Sequence, residues 1–302
     1  MDWDKLKTFH AAAEAGSLTG AAEALNLSQS AVSRQISALE TDMGIKLFHR
    51  HARGLIVTEP GRILHETTRQ VSTQITFAEV QVQDCRDEPS GLLRVTAPTA
   101  LGALWIAPRL TRFKAMYPSI NLRLIFVDNE LDLANLEADC AVRPWASSQN
   151  DLIQRKVMEV PQHLYGSEAY FARLGEPKSL ADLDSGKHDL ITYGPRKHAP
   201  LPNLNWILDI GRSEQQGPRK PAIEINTING MVKLAEAGLG LTGLPDYVAR
   251  ENAMLKPVLP DLLGPPFEIF FVYPNELKGS RRIAAFREFL MLEIKNWDVA
   301  QL

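Results

Sequence analysis

Residues 19–44 constrain the fold of this chain more than any other stretch. They predict two short helices joined by a tight turn at residues 26–28. Ser28 is a residue type that caps the start of a helix, and Gly44 is one that ends a helix in a left-handed conformation. In the second helix apolar residues recur at spacings of four, three and four, at Val32, Ile36, Leu39 and Met43. This spacing predicts one apolar face that packs on a small core.

The opposite face of that helix carries side chains that suit the major groove of DNA. Gln and Arg can each form two hydrogen bonds with one base edge, and Ser can reach bases or phosphates. The residues on this face, together with the capping residue, are Ser28, Gln29, Ser30, Ser33, Arg34 and Gln35. The alternative is a surface helix that shows its polar side to water, and so short a pattern does not separate the two.

Two short apolar segments, residues 45–50 and 55–58, flank a basic tip after this helix. They predict a β-hairpin, or wing, beside the polar helix. We expect Arg50 and Arg53 at the tip of this hairpin to contact the DNA backbone. Thr19, at the start of the helix predicted at residues 19–25, is expected to do the same. The alternative is a solvated hairpin. His49 and His51 have no further ligand spaced to complete a metal site, so no metal is predicted.

A long helix is predicted over residues 59–87, with Thr58 as its cap and Pro60 in its first turn. Its seam residues alternate gaps of four and three, the heptad spacing of a coiled coil. They are Leu64, Thr68, Val71, Ile75, Ala78, Val82 and Cys85. A partner chain is the expected cover for so narrow a stripe, which predicts a dimer. The alternative is packing against the body of the same chain.

The rest of the chain alternates strands and helices after a hinge-like Glu-Pro-Ser-Gly at residues 88–91. Strands are predicted at residues 92–96, 120–127, 139–143, 162–166, 190–193, 222–225, 241–244 and 267–273. Helices are predicted at residues 101–117, 168–174, 227–237 and 281–296, in addition to residues 3–15 and 19–25 near the N-terminus. This alternation predicts an α/β domain with mostly parallel sheets.

Composition narrows the class of protein. Lysine and arginine total 33 and aspartate and glutamate 36, for a net charge of −3, so contact with DNA must come from a local patch.

The two cysteines, Cys85 and Cys140, fit no disulfide framework or metal set, and no leader precedes the first helix, so we expect a cytoplasmic protein. No apolar run is long enough to span a membrane. Without a phosphate loop, a metal cluster or a nucleophile elbow, we expect neither an enzyme nor a cofactor.

Two sets of residues carry a family resemblance. The first comprises Ala21-Ala22 with Leu25, the run LSQSAVSRQI at residues 27–36, Leu39-Glu40, Gly44, LFHR at residues 47–50, and Leu55 with Thr58. The second comprises residues 93–95, Pro108, Phe113, Tyr117-Pro118, Asp139, residues 238–240 and Leu244-Pro245. Through both sets the chain resembles the LysR-type transcriptional regulators. Ser30 departs from the pattern, since some members have Pro there.

The resemblance implies a mainly α winged helix-turn-helix at residues 1–58 and a dimerising linker helix at residues 59–88. It implies an α/β effector domain at residues 89–302, built of two Rossmann-like subdomains that resemble periplasmic binding proteins. Subdomain I is expected at residues 92–161 and 266–302, and subdomain II at residues 162–265. The implied partners are double-stranded operator or promoter DNA, a small-molecule effector, other copies of the chain in a homotetramer, and RNA polymerase as a further option.

An effector of such a domain is expected beyond the carboxyl ends of the strands, where helix N-termini favour anions. The candidates are Pro98, Thr99, Ala100, Leu101, Asn129, Arg143, Thr192, Asn226 and Thr227. Thr99 is the strongest, by analogy to a Ser or Thr that the family has at this turn, and the alternative is an ordinary helix cap. Arg143 either contacts an anionic effector or holds a structural salt bridge.

Two other functions stay open. Cys140 follows Asp139 and lies near Arg143, a cation that could lower the pKa of its thiol and make it a redox sensor. Buried cysteines, however, usually behave as small apolar residues. A stand-alone small-molecule binding protein would need only the C-terminal part of the chain, but the helix-turn-helix argues against it.

Overall fold

The computed structural model describes residues 2–51, 54–83, 88–194, 201 and 203–299, without the side chains of residues 50, 83, 298 and 299. The chain divides into two compact units, Met1–Val82 and Gln83–Leu302.

The N-terminal unit contains three short helices, a hairpin and a long helix. Its elements are α1 (Trp3–Ala15), α2 (Leu18–Leu25), α3 (Gln29–Met43), β1 (Phe48–His51), β2 (Gly54–Val57) and α4 (Glu59–Gln83). The strands pair antiparallel, from Phe48 opposite Val57 to His51 opposite Gly54. The buried core joins Phe9 of α1 to Val32, Ile36 and Leu39 of α3 and to Leu47. The predicted helix-turn-helix and wing are therefore confirmed as elements of the fold.

The caps of these helices follow from the residue types at their ends. Ser17 caps α2 by accepting the N–H of Gly20 at 3.0 Å. Ser28 caps α3 by accepting the N–H of Ala31 at 3.2 Å, and Gly44 ends α3 with φ of 65°. Met43 was expected on the apolar face but is 42% exposed, because the last turn of α3 extends beyond the core.

Helix α4 begins as predicted. The hydroxyl of Thr58 accepts the N–H of Gly61 at 3.0 Å, and Pro60 lies in the first turn, where its missing N–H costs nothing. The described part of the helix ends at Gln83, so the last predicted turn and Cys85 lie outside the described residues.

One continuous sheet of nine strands forms the centre of the C-terminal unit. Its strands are β3 (Gly91–Ala97), β4 (Ile120–Phe126), β5 (Cys140–Arg143), β6 (Leu152–Gly166), β7 (Leu190–Tyr193), β8 (Ile223–Ile225), β9 (Leu241–Pro245), β10 (Lys256–Val258) and β11 (Gly264–Pro274). The order is β4-β3-β5-β11-β6-β9-β7-β8, with β10 also paired to β6. We call β4, β3 and β5 the first half of the sheet and β9, β7 and β8 the second half.

The prediction of parallel strands is correct within each half and wrong at the centre. Strand β3 pairs parallel with β4 and β5, and β7 pairs parallel with β8 and β9. The long strands β6 and β11 lie between the halves and run antiparallel to each other. The sequence prediction missed residues 152–161 of β6, because charged residues such as Arg155, Lys156 and Glu159 interrupt its apolar pattern.

Helices pack on this sheet. They are α5 (Ala107–Met116), α6 (Glu168–Leu174), α7 (Leu180–Asp184), α8 (Ile228–Glu236), α9 (Asp246–Ala249) and α10 (Arg281–Val299). The predicted helix at residues 101–117 begins instead as a π-helical stretch, Leu101–Ile106, that leads into α5. The ring of Phe113 packs edge-to-face with Phe286 and Phe289 of α10, with centroids 5.4 and 5.2 Å apart. Among the described residues, no helix combines the length and apolarity that a membrane span needs.

Candidate functional site

The polar face of α3 is open to solvent. Gln29, Ser30 and Arg34 are exposed and Ser33 is half-buried, while Val32, Ile36 and Leu39 face the core. In the described part of the chain neither the Gln29 amide nor the Arg34 guanidinium has a hydrogen-bond partner. Both groups can therefore form two hydrogen bonds with a base edge at no cost in internal contacts.

Gln35 and Ser28, both predicted to contact DNA, already have partners inside the unit. The side-chain oxygen of Gln35 accepts a hydrogen bond from the hydroxyl of Thr8 on α1. Ser28 is occupied as the cap of α3, and its hydroxyl also lies 3.0 Å from that of Ser30. These contacts give Gln35 and Ser28 a structural part in holding the helices. Thr19 lies exposed in the first turn of α2.

A buried carboxylate holds the wing against α3. Glu40 accepts the N–H groups of Leu47 and Phe48 at 2.9 and 3.2 Å, and Lys46 binds it at 2.7 Å. Burial on its own would raise the pKa of Glu40, but the Lys46 ammonium and the two N–H groups outweigh it and lower that pKa below its usual value. The side chain of Arg50 and all of Arg53 lie outside the described residues, so the predicted phosphate contacts of the wing stay predictions.

Helix α4 has two unlike sides. Val71 and Ile75 are each 40% exposed and Val82 is 71% exposed, although all three are apolar. Thr73 and Phe77 are buried, and they lie about 160–200° around the helix from Ile75 at 3.6 residues per turn. Leu64 packs against the core of the N-terminal unit and Thr68 is buried. The predicted seam is thus covered within the chain at its start and open along Val71, Ile75 and Val82.

In the C-terminal unit the carboxyl ends of strands from both halves of the sheet come together around one carboxylate. Asp128, just after β4, accepts the N–H of Thr99, just after β3, at 2.8 Å. Burial first, and the charge of Asp128 second, raise the pKa values of Tyr193 at the end of β7 and Tyr247 at the start of α9. Asp128 is therefore bonded to the turn after β3 and lies close enough to the end of β7 and the start of α9 for its charge to be felt there. We call Thr99, Asp128, Tyr193 and Tyr247 the strand-end cluster.

Several predicted effector contacts flank this cluster with unused hydrogen-bonding groups. Thr192 is 1% exposed, and its hydroxyl has no partner among the described residues. Thr227 begins α8 without a side-chain cap, so that helix N-terminus keeps N–H groups to offer. Asn129 and Asn226 are exposed. Pro98, Ala100 and Leu101 are buried at the start of the π-helical stretch and offer backbone only.

Comparison with known proteins decides the family. Residues 3–62 match the model of the bacterial regulatory helix-turn-helix proteins of the lysR family, and residues 86–293 match the LysR substrate binding domain. A relative from Xanthomonas campestris pv. campestris (strain 8004), an HTH-type transcriptional regulator, is 33% identical over 293 residues, which cover 94% of this chain and 83% of the relative. The chain belongs to the LysR family of transcriptional regulators. It is a DNA-binding regulator with an effector-binding domain.

Solved structures share the fold of this LysR-type regulator. The full-length Vibrio cholerae virulence activator AphB is 25% identical, with a TM-score of 0.57, and the match covers 96% of this chain and 99% of AphB. Full-length CbnR, solved in complex with its target DNA, is 20% identical, with a TM-score of 0.63 and coverage of 97% and 100%. The expected fold, a helix-turn-helix followed by an α/β effector domain, is confirmed.

Arg143 of this regulator has a structural partner. It is 3% exposed and forms an ion pair with Glu130, which also accepts hydrogen bonds from Ser147 and, at 3.0 Å, from Gln149. Of the two roles that the sequence left open for Arg143, the side-chain contact seen in the described part of the chain is the structural salt bridge with Glu130. A contact between Arg143 and an effector stays a prediction.

The premise of the redox alternative is wrong. Cys140 is fully buried in β5, and burial, followed by the charge of Asp139, raises the pKa of its thiol well above the usual value. Asp139 itself pairs with Arg94 at 2.7 Å. A buried thiol that resists ionisation is a poor reductant, since the thiolate is the reactive form.

Sequence reasoning missed Asp128, Tyr193 and Tyr247, which belong to the strand-end cluster. Asp128 precedes the predicted Asn129 by one residue, and Tyr193 follows the predicted Thr192 by one. The strand ends were recognised, but side-chain direction at a strand end cannot be read from the pattern, because successive residues point to opposite faces.

Proposed function

We propose that this LysR-type regulator reads its operator with Gln29, Ser30, Ser33 and Arg34 of α3, while Thr19, Arg50 and Arg53 contact the backbone. The open polar face of α3 carries this proposal, because its amide, hydroxyl and guanidinium groups suit base edges. Two such helices from one dimer would enter successive major grooves of an imperfect inverted repeat. That CbnR has been solved with its target DNA supports the assignment.

Arg34→Ala is the direct test. We expect the folded variant to lose about 5- to 150-fold in affinity for the operator, since a bidentate contact contributes about 1–3 kcal/mol. The measurement is a gel shift or fluorescence anisotropy titration with DNA from upstream of the regulator's own gene. Arg123→Ala, an exposed arginine on β4 of the other unit, is the matched control and should bind like the wild type. Unchanged operator affinity in Arg34→Ala would contradict the assignment.

Arg53 is proposed to act through phosphate alone. Arg53→Ala should weaken binding to all sequences alike and reduce the slope of log affinity against log salt by about one unit. An unaltered salt slope would remove Arg53 from the DNA interface.

We further propose that the open side of α4 pairs with a second copy of the chain and that two dimers form a tetramer. Val71, Ile75 and Val82 support this, since three apolar residues at heptad spacing are exposed while the opposite side of the helix is buried. A regulator of this kind would work beside the chromosome in the cytoplasm, and contact with RNA polymerase would allow it to activate transcription.

The effector is proposed to bind at the strand-end cluster, between the halves of the sheet. The unpartnered hydroxyl of Thr192 and the N-terminus of α8 at Thr227 suit a carboxylate, so we propose an anionic effector. Asp128 adds a requirement, because a ligand beside this carboxylate must present a hydrogen-bond donor to it. The best candidates therefore carry both a carboxylate and a donor group such as a hydroxyl or an amine.

A thermal-shift screen of hydroxy acids, amino acids and plain carboxylates on the full chain tests this site. A ligand should raise the melting temperature as its concentration rises. Thr192→Val and Thr99→Val should reduce that shift, whereas Thr111→Val, an exposed threonine on α5 outside the cluster, should keep it. A shift that survives in Thr192→Val and Thr99→Val would place the effector elsewhere.

A further inference from the structure

Three potential metal ligands from two helices meet in the N-terminal unit. His10 and Glu14 lie four residues apart on one face of α1, and His65 lies in the second turn of α4. One ligand atom from each residue lies within 4.8 Å of those of the other two. The Nε2 atom of His65 is 2.8 Å from the Glu14 carboxylate, and the rings of His10 and His65 have centroids 5.4 Å apart.

The two helices that supply these ligands are held in place independently of the cluster. Leu64, the neighbour of His65, packs against the core that contains Phe9, the neighbour of His10. At the start of α4 a Cβ built on Gly61 would lie 2.1 Å from the carbonyl oxygen of Leu47, so the backbone there fits closely against the unit. The three side chains therefore face each other across a fixed interface.

One atom of the cluster lacks a partner. The Nδ1 atom of His10 is buried and makes no hydrogen bond within the described part of the chain. An unsatisfied buried ring nitrogen costs free energy, and a metal ion would satisfy it. Arg69, one turn along α4, is the nearby cation that opposes a metal, but it binds both carboxylate oxygens of Glu66 at 2.9 Å, which offsets its charge.

We propose that His10, Glu14 and His65 bind one divalent transition-metal ion, with zinc as the best match. Two imidazoles, one carboxylate and a water form a common four-coordinate zinc set. Bonds of about 2.0–2.1 Å place tetrahedral ligand atoms about 3.3 Å apart, so the side chains need to shift by no more than about 1.5 Å. The bound metal would join α1 of the helix-turn-helix to the first turns of α4 and make that junction dependent on metal.

Zinc titration of the full chain, stripped with a chelator, tests the proposal. The wild type should bind one Zn²⁺ per chain in competition with a chromophoric chelator. His65→Gln and Glu14→Gln should each weaken that binding at least tenfold, and so should His10→Gln. Glu14 and His65 are 55% and 24% exposed at their side chains, so their variants keep the test valid even where His10→Gln fails to fold.

The matched control is the double variant His49→Gln/His51→Gln, which removes the two histidines of the wing, whose ring centroids lie 6.4 Å apart. It should keep the site. Co²⁺ bound to the wild type should give the visible absorption of a tetrahedral complex, and Zn²⁺ should raise the melting temperature of the wild type and not of His65→Gln. Binding of less than one Zn²⁺ per chain, or equal affinity in the wild type and His65→Gln, would overturn the proposal.

Discussion

The carboxylate of Glu40 in the recognition helix α3 accepts the backbone N–H of Leu47, the residue before the wing, at 2.9 Å. A second bond from Phe48 and the Lys46 ammonium complete its surroundings. One buried side chain therefore fixes the position of the start of the wing relative to the recognition helix. The two parts of the proposed DNA interface are coupled through it.

Replacement of Glu40 should destabilise the N-terminal unit. Glu40→Gln removes the charge, and while its amide oxygen accepts the two N–H groups its NH2 group replaces Oε2 and faces the Lys46 ammonium, which we expect to cost about 1–3 kcal/mol in the free energy of unfolding. Urea unfolding followed by far-ultraviolet circular dichroism measures this. Glu23→Gln, at an exposed glutamate of α2, is the control and should change stability by less than about 0.5 kcal/mol. Equal effects of the two substitutions would show that the Glu40 contacts contribute nothing.

The same residue should make stability depend on pH. The pKa of Glu40 is lower in the folded chain than its usual value, so its contribution is complete above the pKa of the unfolded chain, about 4.3, and is lost as pH falls through the lower, folded pKa. The stability difference between wild type and Glu40→Gln should thus shrink on acidification below about pH 4. Urea titrations at a series of pH values test this, and a difference that stays constant to low pH would refute it.

Gly102 should tolerate no side chain while Phe126 is present. A Cβ at residue 102 would lie 2.3–2.6 Å from three atoms of the Phe126 ring, inside the π-helical stretch. We expect Gly102→Ala to destabilise the C-terminal unit by about 1–3 kcal/mol. Gly279→Ala, where an added Cβ meets nothing within 4 Å, is the control. In a double-mutant cycle the cost of Gly102→Ala should fall when Phe126 is also replaced by Ala, and simple additivity would contradict the steric argument.

A charge on the open side of α4 should disrupt self-association. Ile75→Glu places a carboxylate in the middle of the exposed seam, where a facing copy would bury it without a partner. Analytical ultracentrifugation should show at least a tenfold weaker dimer. Gln70→Glu adds the same charge to an exposed position outside the seam and should leave the dimer intact. A dimer that survives Ile75→Glu would have to use another surface.

Much of the DNA-binding part could be predicted because its signals are local. The cap at Ser28, the left-handed stop at Gly44 and the spacing of Val32, Ile36 and Leu39 each lie within one or two helical turns of the element they define. Gln35 shows the limit of such reasoning. Its polarity suggested the exposed face, whereas its actual partner, Thr8, lies 27 residues earlier on another helix.

What could not be predicted depends on contacts between distant parts of the chain. Sequence spacing indicated no metal-ligand set, because His65 follows Glu14 by 51 residues and only the packing of α4 on α1 brings them together. The burial of Glu40 was missed for the same reason, since its partners Leu47 and Phe48 lie just before and at the start of the wing. The charged stretch within β6 hid a strand that hydrogen bonds to β11 define.

Strands β6 and β11 are the two connections between the halves of the sheet, and they are bonded to each other from Leu152–Pro274 to Val160–Phe267. A hinge made of two unpaired strands could let the halves slide or separate freely. Because β6 and β11 are hydrogen-bonded to each other as a two-stranded ribbon, they resist stretching and shear and deform by twisting. The pairing of β6 with β11 has register irregularities between Gly264 and Phe267 and between Ile269 and Phe270, where the ladder of hydrogen bonds is weakest. Any signal that passes from one half to the other should accordingly take the form of a rotation about this ribbon.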